Sequence, residues 1–401
     1  MSPSPNDERR TALVAAGTPL QAVIVGTAGD PRMANYQAAR ARAGLSPAML
    51  LDYRDLIADP MGAAARIATP ALARIESPGR DPQVLAGLLA RGIEKSARLN
   101  LHHVPRAEIE RLVRERGRLL PPRQLYFGME SVLSALAERA HDSGVPGDIQ
   151  IVPDVGTILL AFDKSACHRH LAACHVSVPP ALTTVDSFEA LMTAMRAAGL
   201  HRVFVKLQHG SAAAGAVALA TSKFGMSAIT TVEVVPSAAG LRLYNTRALR
   251  RYASRADIAR LIDALAPYGL HVEAWIPKAS VEGRIADLRV VTIAGEPEFR
   301  VLRKSRYPIT NLHLGGERAE ASVLLSRMPA RAVTALDETC RAVARAMPGA
   351  LQLGIDVAVA TGLVRHYVLE VNAFGDLLKG VTTREGLDTY DVQLRAMERA
   401  A

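Results

Sequence analysis

Cysteine is scarce in this chain of 401 residues, and its three cysteines are an odd number. Cys167, Cys174 and Cys340 therefore do not suggest a disulfide framework, and we predict a protein of a reducing compartment, the cytoplasm. The segment CHRHLAACH, residues 167–175, contains zinc-binding residue types, but all of them fall on one predicted helix without a second ligand pair elsewhere. A partly buried helix is the better interpretation.

Long apolar runs and aromatic residues are also lacking. No run of about 18 uncharged apolar residues occurs, which argues against a membrane-spanning helix. Aromatic residues make up only 4%, and no basic segment is interleaved with them, although the net charge is +9. We therefore expect neither a membrane nor nucleic acid as a partner. Residues 1–19, which mix prolines and acids, predict a disordered tail rather than a secretory signal.

The region 20–150 begins with a strand–helix–strand pattern. QAVIVGTAGDP predicts a buried strand and a glycine turn, a helix follows over about 31–43, and PAMLLDY predicts a second strand. This order is typical of an α/β domain with a parallel sheet. The glycines do not form the dinucleotide fingerprint. ESPGRDP, residues 76–82, is either an anion site at a helix start or, as we favour, an ordinary turn.

Beyond Phe162 the pattern changes to strands that read as antiparallel pairs. ADLRVVTIAG and EPEFRVLRKS predict one pair, and LQLGIDVAVA and RHYVLEVNAF predict another, joined by a short turn. Helices are predicted over about 163–175, 187–198, 256–266, 330–346 and 386–398.

Three polar residues interrupt the last two apolar strands. Glu370 and Asn372 are two positions apart and share one strand face, and a turn over 361–365 places Asp356 opposite Glu370. Burying unpartnered carboxylates is costly. Converging oxygens of this kind suit Mg²⁺ (or Mn²⁺), whose other ligands would be nucleotide phosphates. The alternative is a sheet with one solvated polar face.

A lysine and a loop of small residues form the second pattern. In VFVKLQHGSAAAGAVAL, Lys206 lies inside an apolar strand and requires an anionic partner. The loop 209–215 has little side-chain bulk, so its N–H groups could close over phosphate oxygens, although a flexible hairpin is equally compatible with the sequence. The lysine precedes the glycines, unlike the order in a P-loop. Lys164, which opens a helix after ILLAFD, is by itself a weak indication of a site.

Two further segments contain candidate ligand-binding residues. HVEAWIPK contains the only tryptophan, which is either a core residue or part of a hinge whose backbone meets an adenine edge. A strand pair and the loop after it either recognise phosphate or carboxylate groups or form an exposed basic face. The residues of this set are Asp287, Arg289, Arg303, Lys304, Arg306 and Asn311.

Taken in order, these motifs resemble the ATP-grasp superfamily over roughly residues 155–380. The motifs are FDK, VFVKLQHGSAAAG, VEAWIP, DLR, NLHLGG, GIDV and VLEVNAFGD. They are most similar to glutathione synthetase, to ligases that add glutamate to a protein C-terminus, and to a bacterial ATP-grasp subfamily. The resemblance implies an α/β N-terminal domain followed by an α+β ATP-grasp fold. Its two subdomains, residues 151–235 and 236–401, would hold ATP between them.

The resemblance also implies a role for each candidate residue. Lys164 and Lys206 become phosphate-side contacts, and the loop 209–215 becomes a mobile lid that includes Gly210, Ser211 and Gly215. The adenine hinge is Glu273, Ala274, Trp275 and Ile276. Asp287 becomes the ribose contact, in competition with Glu282, and Asn311 joins the nucleotide site. Arg289 and Arg303 steady the phosphoryl group or a substrate carboxylate, and Asp356, Glu370 and Asn372 become metal ligands. Three consecutive alanines in the lid should stiffen it.

We therefore expect an enzyme that uses ATP and Mg²⁺ to join a small-molecule or peptide carboxylate to an amine through an acyl phosphate. A small-molecule kinase and a nucleotide-binding protein without turnover are the alternatives. The complete metal set argues against the latter, because a binding module needs no metal site. A kinase needs a carboxylate to orient the hydroxyl, and around RVLRKSRYPITNLHLGG only Glu317 is spare.

Overall fold

Three β-sheets organise the part of the chain that the structure describes. This computed structural model describes residues 20–142, 149–183, 185–238, 240–376 and 378–400. The predicted tail over 1–19 and most of the predicted loop over 141–148 lie outside the described residues. In the described ranges, no helix is long and apolar enough to cross a membrane.

The first sheet is parallel, as the strand–helix–strand pattern predicted. Its order is β2-β1-β3-β4, with β1 at Gln21–Gly26, β2 at Met49–Asp52, β3 at Ala71–Ile75 and β4 at Ile149–Val152. Its helices are α1 (Pro31–Arg42), α2 (Tyr53–Ala58), α3 (Pro60–Ala65), α4 (Pro82–Arg91), α5 (Ile93–Arg98), α6 (Arg106–Arg114) and α7 (Pro122–His141). Asp30 and Asp81 cap α1 and α4, each followed by a proline whose fixed φ suits a helix start.

The second sheet is antiparallel and has the order β5-β10-β6-β7-β8-β9. Its strands are β5 (Ala181–Leu182), β6 (Arg202–Leu207), β7 (Val217–Ser222), β8 (Gly225–Ser237), β9 (Gly240–Tyr252) and β10 (Leu270–Ala274). The helices of this region are α8 (Val155–Phe162), α9 (Lys164–Ala173), α10 (Phe188–Ala197) and α11 (Arg255–Leu265). The predicted helices over 163–175, 187–198 and 256–266 are confirmed within two residues at each end.

The third sheet contains both predicted antiparallel pairs. Its order is β14-β13-β12-β15-β16, and β11 pairs with β12. The strands are β11 (Ser280–Val281), β12 (Arg284–Ile293), β13 (Glu296–Ser305), β14 (Glu317–Glu320), β15 (Gln352–Val359) and β16 (His366–Asn372). The helices are α12 (Ser322–Leu325), α13 (Ala330–Ala346) and α14 (Thr389–Ala400), so the helix predicted over 330–346 has the predicted bounds.

Both predicted domain divisions, at 150 and at 235, fall inside strands. The division at 150 falls inside β4, which pairs with β3 of the first sheet. The division at 235 falls inside β8, and the second sheet continues through β9 to β10. Periodicity identifies a strand but not its partner, because the partner is chosen by contacts distant in sequence. The division into domains stays a prediction. If each domain keeps its sheet whole, the divisions lie after β4 and after β10.

The last helix joins the N-terminal sheet to the third sheet. Tyr390 and Leu394 on α14 pack with Ile24 and Tyr36 of the first sheet and its helix, while Val392 packs on the third sheet. Arg74 is buried between the rings of Tyr36 and Tyr390, with its guanidinium carbon 5.1 and 5.0 Å from their centroids.

Two of the three histidines of CHRHLAACH, His168 and His170, point to backbone carbonyls. His168 Nε2 lies 2.6 Å from Pro179 O, and His170 Nε2 lies 2.7 Å from Ala346 O. All three cysteines are free thiols, and Cys167 is buried against the core. The segment is the partly buried helix α9, whose ring nitrogens tie it to its neighbours.

Candidate functional site

The last two strands of the third sheet bring the three predicted metal ligands together. β15 and β16 pair with Asp356 opposite Glu370 and Gly354 opposite Asn372, so the register predicted from the turn is confirmed. Asp356 is 6% exposed, and the Nδ2 of Asn372 donates to Gly354 O at 3.1 Å. A bulge after Asp356 offsets the ladder locally.

These ligands line a cleft between the second and third sheets that encloses about 930 Å³, part of it open to solvent. Most of the predicted site residues line the same cleft. They are Lys164, Lys206, Gly210, Glu273, Ala274, Ile276, Asp287, Arg289, Arg303, Asn311, Asp356, Glu370 and Asn372. Ser211, Gly215 and Trp275 are not among its lining residues. The convergence of residues 208 positions apart in sequence is the main structural finding about the site.

Asp356 is held by both predicted arginines. Arg289 donates from Nε and Nη2 to the two carboxylate oxygens at 2.5 and 3.2 Å, and Arg303 approaches the same oxygens at 3.1 and 3.2 Å. Burial raises the pKa of Asp356, but the two guanidinium groups outweigh it and hold that pKa below its usual range. Arg289 also reaches Asp376 Oδ2 at 3.2 Å, a residue that the sequence did not single out.

Asp287, the predicted ribose contact, is 1% exposed and fully engaged. It accepts from Arg303 Nε at 2.8 Å, from Lys278 Nζ at 2.8 Å and from the hydroxyl of Thr310. Lys278 and Thr310 also line the cleft and were missed from the sequence. Glu282, the competing candidate, is exposed and pairs with Lys304 at 2.5 Å instead.

Lys206 has the anionic partner that its position in an apolar strand demands. Its Nζ lies 2.5 Å from Glu273 Oε1 and donates to Leu369 O at 3.2 Å. Glu273 is 2% exposed, and its second oxygen lies 3.3 Å from His271 Nε2. Burial favours the neutral acid, but Lys206 and His271 prevail and lower the pKa of Glu273 to about 2.

Lys164 connects Glu370 of β16 to the loop 209–215. Its Nζ lies 2.9 Å from Glu370 Oε1 and donates to Gly210 O. The preceding Asp163 caps α9 and accepts two hydrogen bonds of 3.0 Å from Gln208. Burial alone would raise the pKa of Asp163, but its contact with His209 and these hydrogen bonds lower it. The aspartate of the FDK motif therefore fixes the start of the loop.

Two of the three alanines of the loop take a strained backbone conformation. Ala212 and Ala213 have φ of 52° and 58°, in the left-handed region that costs a non-glycine residue roughly 1 kcal/mol. Gly215, with φ of 71°, has no room for a side chain, since a Cβ there would lie 2.4 Å from Leu207 Cδ1. The expected stiffness of the loop stays a prediction.

The side chains of the predicted hinge, residues 273–276, do not all face the cleft. Ala274 and Ile276 line the cleft, whereas the Trp275 ring packs on Phe204 with centroids 5.4 Å apart and lies under Arg202. Trp275 N donates to Arg202 O at 3.1 Å, which fixes the segment to β6. The side chain of Trp275 thus packs, while its neighbours face the cleft.

The donor set of the metal strands fits a hard divalent cation. Carboxylate oxygens of Asp356 and Glu370 and the amide oxygen of Asn372 lie on one face of two paired strands, and Glu370 reaches the cleft. Within the described residues, no group of three or more His, Cys, Asp or Glu side chains could hold a metal. A site here therefore uses two carboxylates and an amide, with the remaining ligands from solvent or from a nucleotide.

Structural comparison finds similar solved structures over almost the whole chain. The ATP-grasp ligase PsnB, complexed with a phosphomimetic variant of its minimal precursor, Mg and ADP, has a TM-score of 0.53 at 14% identity, covering 96% of this chain and 100% of that one. D-cycloserine synthetase DcsG has a TM-score of 0.53 at 13% identity, covering 94% and 99%. A Chryseobacterium gregarium RiPP-associated ATP-grasp ligase, in complex with ADP and a leader and core peptide, has a TM-score of 0.50 at 10% identity, covering 96% and 98%. The sequence matches no protein-family model and no curated protein. At these identities the likeness concerns the fold.

Proposed function

We propose that this ATP-grasp protein is an ATP-dependent ligase that activates a carboxylate as an acyl phosphate and joins it to an amine. The observation that supports this most strongly is the convergence, in one cleft, of three lysines, two arginines, a hinge segment and a set of oxygen ligands. The fold similarity to solved ATP-grasp ligases agrees with it. The substrates we propose are a small-molecule or peptide carboxylate and an amine.

The nucleotide would lie with its adenine against the hinge and its phosphates towards the lysines. Phe204 and Leu369 supply apolar surface in the cleft on opposite sheets. Lys206 pairs with the hinge residue Glu273, and Lys164 donates to Gly210 O in the loop 209–215. Closing that loop would exclude water, to which an acyl phosphate is otherwise lost.

Asp356, Glu370 and Asn372 would hold Mg²⁺, which when bound neutralises the phosphate charge. Glu370 and Lys164 lie 2.9 Å apart, so the metal ligands are adjacent to a proposed phosphate contact. With the nucleotide bound, its negative charge would lie between cations on both sides. Lys164 would stabilise the charge that spreads over the phosphoryl oxygens during transfer.

Arg289 and Arg303 would bind the acceptor carboxylate. Both already bind a carboxylate, that of Asp356, and each contacts both of its oxygens. A carboxylate oxygen of the substrate would attack the γ-phosphorus, and the bond from that phosphorus to ADP would break. The amine nitrogen would then attack the acyl carbon, lose a proton to solvent and release inorganic phosphate.

The acidic residues of the cleft favour this reaction over a kinase reaction. A kinase needs a carboxylate that orients and deprotonates a hydroxyl. Among the lining residues that the structure describes, Glu273, Asp287, Asp356 and Glu370 are the acids, and each is paired with a lysine or arginine. An acid held by a cation is a weaker base than a free one.

Trapping the acyl phosphate tests the proposal. Purified protein would be screened for ADP release with pooled carboxylates and amines, and hydroxylamine would then replace the amine. We expect one hydroxamate for each ADP, and loss of both products in Glu370→Ala and Asn372→Ala variants that keep the wild-type circular dichroism. A phosphate ester stable to hydroxylamine would refute the ligase and establish the kinase.

A further inference from the structure

The cations of the cleft are neutralised by its own acids. Lys164 pairs with Glu370 at 2.9 Å, and Arg289 and Arg303 pair with Asp356 at 2.5 and 3.1 Å. Arg303 also pairs with Asp287 at 2.8 Å, and Arg289 with Asp376 at 3.2 Å. Without a ligand, these three cations therefore present little net charge to an incoming anion.

Two kinds of acid take part in this neutralisation. Glu273, the partner of Lys206, is buried and lies outside the proposed metal set. Glu370 and Asp356, by contrast, are the proposed metal ligands. A carboxylate that ligates a divalent cation no longer neutralises its lysine or arginine to the same extent. Binding of the cation would thus release Lys164 from Glu370, and Arg289 and Arg303 from Asp356. Arg303 would keep Asp287 as its partner, Arg289 would keep Asp376, and Lys206 would stay paired with Glu273.

Glu370 can leave Lys164 and turn to a bound cation by side-chain movement alone. The side chains of Lys164 and Glu370 are 12% and 29% exposed and face the cleft. Lys164 also donates to Gly210 O, in the loop that would cover the phosphates. A lysine released by Glu370 would lie between that loop and the metal strands, where it could reach a phosphate oxygen.

We propose that Glu370 and Asp356 exchange their cationic partners for the divalent cation, so that metal and nucleotide bind cooperatively and the acceptor carboxylate binds after both. The inference rests on the proposed function and adds an order of binding to it. Because coupling between two ligands is reciprocal, the nucleotide must strengthen metal binding by the factor by which the metal strengthens nucleotide binding.

Binding of ADP without metal distinguishes this exchange from simple loss of a metal ligand. We would titrate ADP by calorimetry into wild type and Glu370→Gln, once with excess EDTA and once with Mg²⁺. Since Lys164 has no carboxylate partner in Glu370→Gln, ADP should bind that variant about tenfold more tightly than wild type in EDTA, the scale of one charged hydrogen bond. The gain on adding Mg²⁺ should shrink by a similar factor.

Two further variants complete the test. Lys164→Met should weaken ADP binding with Mg²⁺ but barely in EDTA, and in the double variant with Glu370→Gln the tenfold gain should disappear. Glu296→Gln, which removes an exposed ion pair with Arg341, is the matched control and should behave as wild type.

The outcomes separate the two proposals. If wild type binds ADP with Mg²⁺ but metal-free affinity is unchanged or weaker in a folded Glu370→Gln variant, the exchange is refuted and the proposed function stands. If wild type does not bind ADP with Mg²⁺, the proposed function fails and the exchange fails with it.

Discussion

The ion pair between Glu273 and Lys206 should stabilise the fold as well as position the hinge. Glu273 is 2% exposed, and its pKa falls from an ordinary 4.5 to about 2. Each pKa unit corresponds to about 1.4 kcal/mol, so the ionised Glu273 contributes about 3 kcal/mol to the free energy of unfolding. We expect Glu273→Gln to lose most of this, because the change leaves Lys206 with a neutral partner.

The pH dependence gives the sign of the effect. Because the pKa is lowered in the folded protein, the contribution is complete above pH about 4.5 and is lost as the pH falls towards about 2. Wild type should therefore lose stability more steeply below pH 4.5 than Glu273→Gln does. At pH 7 the difference between them should be at its full value.

Urea unfolding followed by circular dichroism at pH 7, 5, 4 and 3 measures both quantities. Glu296→Gln on β13 is the control, since its partner Arg341 and its own carboxylate are exposed, and it should change the free energy of unfolding by about 0.5 kcal/mol or less. A Glu273→Gln variant that matches wild type within about 1 kcal/mol at pH 7, with the same slope below pH 4.5, would refute the assigned contribution.

Two other predictions concern the nucleotide and the packing of the N-terminal region. Lys206→Ala should weaken binding of a non-hydrolysable ATP analogue with Mg²⁺ at least about tenfold. Lys304 pairs with the exposed Glu282, so Lys304→Ala should change that affinity less than about twofold. Equal affinities of the two variants by calorimetry would contradict this ranking. Gly128→Ala should lower the free energy of unfolding by about 1 to 3 kcal/mol, because its Cβ would lie 1.8 Å from the backbone oxygen of Leu88, while Gly362→Ala, with no atom within 4 Å, should have little effect in the same urea experiment.

The sequence predicted the metal strands in more detail than the rest of the site. Polar residues at 356, 370 and 372 interrupt apolar strands, and the length of the turn between them predicts their register, which the structure confirms. The ATP-grasp fold implied by the ordered motifs is also confirmed by the structural similarity. Neither prediction needed knowledge of tertiary contacts, because the register follows from the length of a turn and the fold from the order of the motifs.

Residues that act through distant partners could not be predicted in this way. Lys278 lies two residues after the hinge, but its partner Thr310 is 32 positions away, and only the fold brings them together. Arg289 was predicted to bind a ligand, and in the structure it also binds Asp376, 87 positions away, within the quoted motif VNAFGD. The sequence shows that such residues need a partner, and tertiary contacts decide which partner it is.

The charged row of the third sheet shows why fold and site depend on the same register. Asp287 pairs across the strands with Arg303, Arg289 with Asp356, and Asp356 with Glu370, so these side chains share one face. The residues between them face the opposite side and are fully buried: Leu288, Val290, Leu302, Ile355 and Val357. Since side chains alternate with a period of two, a slip of one residue would bury the charges and expose the core. The apolar face therefore fixes the positions of these five charges of the third sheet, and single charge substitutions among them should alter binding without altering the register.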